Sequence, residues 1–136
     1  LDEKEKNLRK ILNFGHTFAH AYEATLSYSK KLNHGEAVIL GIVSSAKFSI
    51  QNNILNKNDY NQILMHIESL KIPTNLNFYY KKNNIYSIIK YMKSDKKNNS
   101  AKINLILIKK IGKVILGLTF DQSKIKKFLV KELNNL

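Results

Sequence analysis

The stretch His34 to Ile54 limits the folds open to this chain more than any other. It carries Ala37, Val38, Leu40, Ile42, Val43, Ala46, Phe48 and Ile50, which is too apolar for a helix with one wet face. It is also too short and interrupted to span a bilayer. The reading that remains is a central helix buried on most sides, with Gly35 and Gly41 allowing neighbours to pack tightly. The other segments then have to cover it. At 136 residues with 43% apolar content, the chain is long enough for one domain with a real core.

The segment before it is of a different kind. Asn13-Phe14-Gly15-His16-Thr17-Phe18-Ala19-His20-Ala21-Tyr22-Glu23 places two histidines four residues apart, one helical turn on one face. If the helix begins upstream, near Asp2 to Leu12, then Arg9, Asn13, His16 and His20 share a polar seam at i, i+4, i+7 and i+11. Phe14, Phe18, Ala21 and Tyr22 cover the adjoining faces. A polar seam between apolar flanks suits the wall of a site better than a solvated surface. Gly15 costs a helix about 1 kcal/mol relative to Ala, so it predicts a kink or a close approach by another backbone or a ligand. His34 opens the next helix after the polar loop Ser27 to Asn33. Two antiparallel helices can then point imidazoles at one spot, as metal sites between facing helices require. The spacing alone serves structural histidines equally well. Glu36 has two readings of equal weight: an acceptor that orients an imidazole, or a favourable charge in a helix's first turn.

Beyond the central helix, Asn56 to Asp59 reads as a capped turn. Tyr60 to Leu70 follows as an amphipathic helix with Ile63, Leu64, Ile67 and Leu70 inward, ended by Pro73. His66 lies on it, away from the other three histidines, as a structural or exposed residue. Ile85 to Met92 predicts a helix, and Ser94 to Ser100 a loop. Ile103 to Ile108 and Val114 to Leu118 form a β-hairpin around Lys109 to Lys113. Ser123 is expected to cap a last helix, Ile125 to Leu136. The fold class is mainly α with one small hairpin.

The formal net charge of +13 admits nucleic acid, an anionic surface or an acidic small substrate. Lysine is dispersed among asparagine and isoleucine rather than striped, which argues against nucleic acid. The nearest approach to a stacking platform is Tyr79-Tyr80-Lys81-Lys82. There is no cysteine, hence no disulfide and no thiolate site. No apolar run reaches about 18 residues, and Leu1-Asp2-Glu3-Lys4 does not read as a signal peptide. Neither a membrane nor nucleic acid is expected as a partner.

LNFGHTFAHAYE followed by HGEAV resembles the signature of the C-terminal domain of the 3-dehydroquinate synthase family. The resemblance continues, in the family's order, through Met92 to Asn98 and Ala101 to Leu107. It implies a helical domain that supplies most metal and substrate contacts, paired in a longer cytoplasmic enzyme with an N-terminal NAD-binding domain. No Gly-rich nucleotide turn is found in this sequence, so residues 1–136 are expected to be the C-terminal part, and NAD to be bound mainly elsewhere.

By the resemblance, His16 and His34 are two of three ligands of a divalent metal, zinc or cobalt. The third is a glutamate upstream, a position that Glu3 and Glu5 do not match. His20 is placed for proton transfer, Arg9 for a carboxylate or phosphate, and Asn13 beside it. Lys96 or Lys97 meets the substrate phosphate. The implied reaction takes 3-deoxy-D-arabino-heptulosonate 7-phosphate to 3-dehydroquinate and phosphate, in the shikimate pathway, by a homodimer. Ala19 stands where a glycine is usual, and Ala101 near a usual glycine before the strand. Related sugar-phosphate cyclases, such as 2-deoxy-scyllo-inosose synthase, share much of the signature. A non-catalytic isolated domain is the other alternative.

Overall fold

The computed structural model describes residues 14–27, 30–93, 102–110 and 113–134. Its helices are α1 (His16–Thr25), α2 (His34–Gln51), α3 (Lys57–Glu68), α4 (Ile85–Met92) and α5 (Gln122–Asn134). Two 3-10 turns, Leu76–Phe78 and Lys82–Asn84, lead into α4, and strands β1 (Lys102–Lys110) and β2 (Lys113–Asp121) lie between α4 and α5. The mainly helical architecture with one antiparallel hairpin is thus the one expected.

α2 is the central helix. Ala37, Leu40, Ile42, Val43, Ala46 and Phe48 are all buried. Three serines are buried with them, and two are paired: Ser44 Oγ with the Tyr22 hydroxyl at 2.5 Å, and Ser45 Oγ donating to the Phe14 carbonyl at 3.1 Å. These bonds satisfy polar groups that would otherwise cost stability in the core. Phe18, Phe48 and Phe128 meet in tilted and edge-on contacts at 5.6–6.5 Å, joining α1, α2 and α5. Phe120 from β2 adds an edge-on contact to Phe48 at 4.9 Å. Lys47 and Glu132, 2.9 Å apart, tie α2 to α5 at the margin of this cluster.

The hairpin lies against the helices by one face. Ile103, Leu105 and Leu107 are buried while Lys102 and Asn104 on alternate positions are exposed, the period-2 pattern of a half-covered strand. Register shifts fall between Leu105 and Leu107 and between Ile108 and Lys110. A two-stranded sheet is marginal in water alone, so this helix contact holds it.

Gly15 proves to be a point of close approach. A Cβ there would lie 2.5 Å from both the Gly41 carbonyl carbon and the Ile42 nitrogen. A Cβ on Gly41 would collide with the Gly15 carbonyl oxygen and with Ala19. The backbones of α1 and α2 therefore touch where both helices lack a side chain. Gly35 does not share this role: it is exposed, and its nearest neighbour is Asn33 Oδ1 at 3.4 Å.

Three sequence expectations are corrected. α3 stops at Glu68, five residues before Pro73; the chain turns through Lys71 at φ 55° instead. Leu70 consequently leaves the helix and is exposed. Ser123 does not cap α5, because β2 runs straight into a helix that already starts at Gln122. α3 does have its cap: Asn56 Oδ1 accepts from the Asp59 amide at 2.8 Å.

Candidate metal and substrate site

The site is built on the antiparallel pair α1 and α2. Gly15 faces Gly41 at one end and Glu23 faces His34 at the other. α1 turns Phe18, Ala21 and Tyr22 into the core and leaves His16 and His20 exposed. The two imidazoles lie roughly parallel, 25° between planes and 6.4 Å between centroids. That separation suits two side chains one turn apart on one helix face.

His34 is the first residue of α2, and its backbone is fixed by a capping box. Asn33 Oδ1 accepts from the Glu36 amide at 2.7 Å, and Glu36 Oε1 accepts from the Asn33 amide at 2.9 Å. The other oxygen of Glu36 accepts from the Tyr79 hydroxyl at 2.8 Å. Burial first, then this bond and the carboxylate's charge, push the Tyr79 phenol up to about 12. Of its two readings, Glu36 therefore takes the one at the helix start. The oxygen beside an imidazole belongs to Glu23, whose Oε1 lies 3.0 Å from His34 Nδ1. Sequence reasoning did not single out Glu23, though its place seven residues after His16 and three after His20 puts it on their face.

Tyr80 closes the structure beneath the seam. It is buried, donates to the Tyr22 carbonyl at 2.6 Å and meets the Tyr22 ring in a tilted contact, 5.4 Å between centroids. Burial, and after it the charge of Glu23 and the neighbouring Tyr79, raises its phenol well above the ordinary value. Tyr79 and Tyr80 are thus core residues with engaged hydroxyls, not exposed stacking faces.

His66 is exposed on α3. Arg9, Asn13, Lys96 and Lys97 lie outside the described residues, as does the loop Ser94 to Ser100. Among the described residues no three His, Asp or Glu side chains converge as a complete metal cluster. The donor chemistry nonetheless suits a divalent ion: His16 and His34 are exposed imidazoles, and only one nitrogen of His34 is engaged by protein. No described helix is long and apolar enough to cross a membrane.

A family model described as 3-dehydroquinate synthase C-terminal matches residues 1–98. A 3-dehydroquinate synthase of Pelagibacter ubique is 54% identical over 97% of this chain and 36% of its own length. One from Thermoanaerobacter pseudethanolicus is 40% identical over 83% of this chain and 30% of its own length. Among solved structures, 2-deoxy-scyllo-inosose synthase complexed with carbaglucose-6-phosphate, NAD+ and Co2+ superposes with a TM-score of 0.68 at 22% identity, over 88% of this chain and 34% of that one. The likeness shows a shared fold. The chain spans about a third of the length of the relatives it matches. With the family model covering most of the sequence, through the histidine seam and the start of α2, this chain belongs to the 3-dehydroquinate synthase C-terminal family.

Proposed function

We propose that the chain provides the metal- and substrate-binding part of a 3-dehydroquinate synthase, a NAD- and divalent-metal-dependent lyase acting on 3-deoxy-D-arabino-heptulosonate 7-phosphate. The observation that carries this reading is the seam His16, His20 and Glu23, whose Glu23 meets His34 of the facing helix, while Phe18, Ala21 and Tyr22 on the same helix are buried. The 54% identity to a synthase, against 22% to the inosose synthase, favours this member of the cyclases.

His16 and His34 would hold the metal, with the third ligand a glutamate outside this chain. The resident groups would supply polarisation of the hydroxyl being oxidised and the exchange of hydride with NAD. His20, one turn from His16, takes or returns a proton at a ring nitrogen exposed to the substrate. Arg9 offers a planar fork to the substrate carboxylate or phosphate, with the Asn13 amide beside it. Lys96 or Lys97 meets the phosphate that is eliminated.

The test is a chimera in which this chain replaces the matching third of the Pelagibacter synthase. Release of inorganic phosphate from the heptulosonate phosphate, dependent on His20, is the expected result. A folded, NAD-binding chimera that releases none would contradict the proposal.

A further inference from the structure

From the Glu23–His34 contact we infer that Glu23 is a positioning residue: it fixes the tautomer and orientation of His34 so that Nε2 alone is presented to the metal. The inference rests on the reading of His34 as a metal ligand and goes beyond it. Three observations support it. The His34 side chain is 78% exposed, so core packing does not orient the ring. Glu23 is only 15% exposed and reaches His34 from the neighbouring helix at 3.0 Å, a distance suited to a charge-assisted hydrogen bond. A carboxylate can only accept, so a neutral His34 must carry its hydrogen on Nδ1, which leaves the Nε2 lone pair free.

The surrounding residues give this bond a fixed frame. His34 N-terminally begins α2, whose start is pinned by the Asn33–Glu36 box and by Tyr79. Glu23 sits on α1, whose separation from α2 is set by the Gly15–Gly41 contact. With both backbones held, the carboxylate determines the remaining freedom, rotation of an exposed imidazole. Metal-bound histidines are commonly held through their second nitrogen in this way, and loss of that partner costs about 10–100-fold in metal affinity.

The experiment uses the chimera described above, which carries the upstream glutamate, with nitrogen-15 in its histidines, near pH 8, where an ordinary imidazole is neutral. Ring nitrogen shifts of His34 report the tautomer directly. The expected result is Nδ1–H in the wild type and a mixture in Glu23→Ala. Glu23→Gln, which keeps an acceptor oxygen, should retain Nδ1–H. Zinc titration followed at the same resonances should perturb Nε2, with affinity falling about 10–100-fold in Glu23→Ala and largely recovered in Glu23→Gln. An Nε2–H tautomer in the wild type overturns the inference without any variant. Unchanged zinc affinity in Glu23→Ala overturns it as well. If zinc leaves the His34 nitrogens unmoved, the ligand reading itself fails, and with it the purpose assigned to Glu23, even where the tautomer holds.

Discussion

Replacing Gly15 with Ala tests the contact that sets the helix pair. The backbone at Gly15 has φ −97° and ψ 6°, which alanine adopts without strain, so the substitution adds only a methyl group. That methyl would lie 2.5 Å from Gly41 carbon and Ile42 nitrogen, about 1 Å inside normal carbon contact. Both neighbours are backbone and cannot rotate away, so α1 and α2 must separate. Overpacking of a core costs about 1–3 kcal/mol, and a clash of backbone with backbone belongs at the upper end. Unfolding entropy of about 2.1 cal/mol/K per residue makes about 0.3 kcal/mol/K for a chain this size. A loss of about 3 kcal/mol then lowers Tm by ~10 °C. Gly35→Ala is the control: its methyl meets only Asn33 Oδ1 at 3.4 Å, and the gain in helix propensity should leave Tm equal or higher. Thermal unfolding by circular dichroism measures both. A Gly15→Ala variant melting within 2 °C or so of wild type would refute the backbone contact.

Other outcomes follow from the buried polar groups. Ser44→Ala strands the Tyr22 hydroxyl and should cost about 1–3 kcal/mol in urea unfolding, whereas Ser49→Ala removes a hydroxyl with no partner among the described residues and should be neutral or slightly stabilising. Tyr79 ionises near 10 when unfolded and near 12 when folded, so its neutral form stabilises the fold fully below pH 10, and that contribution is lost as pH rises towards 12. Tyr79→Phe, monitored by urea titration at several pH values, should therefore lessen the alkaline decline in stability, to which the buried Tyr80 also contributes; an unchanged slope would remove Tyr79 as one of its sources.

Periodicity made the core helix and the seam legible, because burial repeats every turn and the residues that break the repeat stand out. His16 and His20 could be placed on one face, and Phe18 and Tyr22 on another, from spacing alone. Gly15 could be marked as unusual, but its partner could not, since Gly41 lies on a different helix. Glu23 was hidden for a similar reason: its function depends on what sits opposite, and glutamate on a helix is ordinarily just a solvated charge. Glu36, two residues after His34, is the more conspicuous carboxylate in sequence, yet it is turned to the helix start and Tyr79. The end of α3 is not legible because proline is a loud signal, while the left-handed turn at Lys71 is carried by a residue with no preference for it. At Ser123 a favourable capping residue was present but the strand entered the helix one residue earlier.

In the proposed synthase, one turn of α1 separates a metal ligand from a proton-transfer group. The direct measurement is metal content and turnover of the chimera carrying His16→Ala, His34→Ala or His20→Ala. The first two should lose the metal. His20→Ala should keep it and slow phosphate release by about 10²–10⁴-fold, the usual range for a lost acid or base. Loss of metal from His20→Ala as complete as from His16→Ala would contradict this division of roles, and so would near-wild-type turnover.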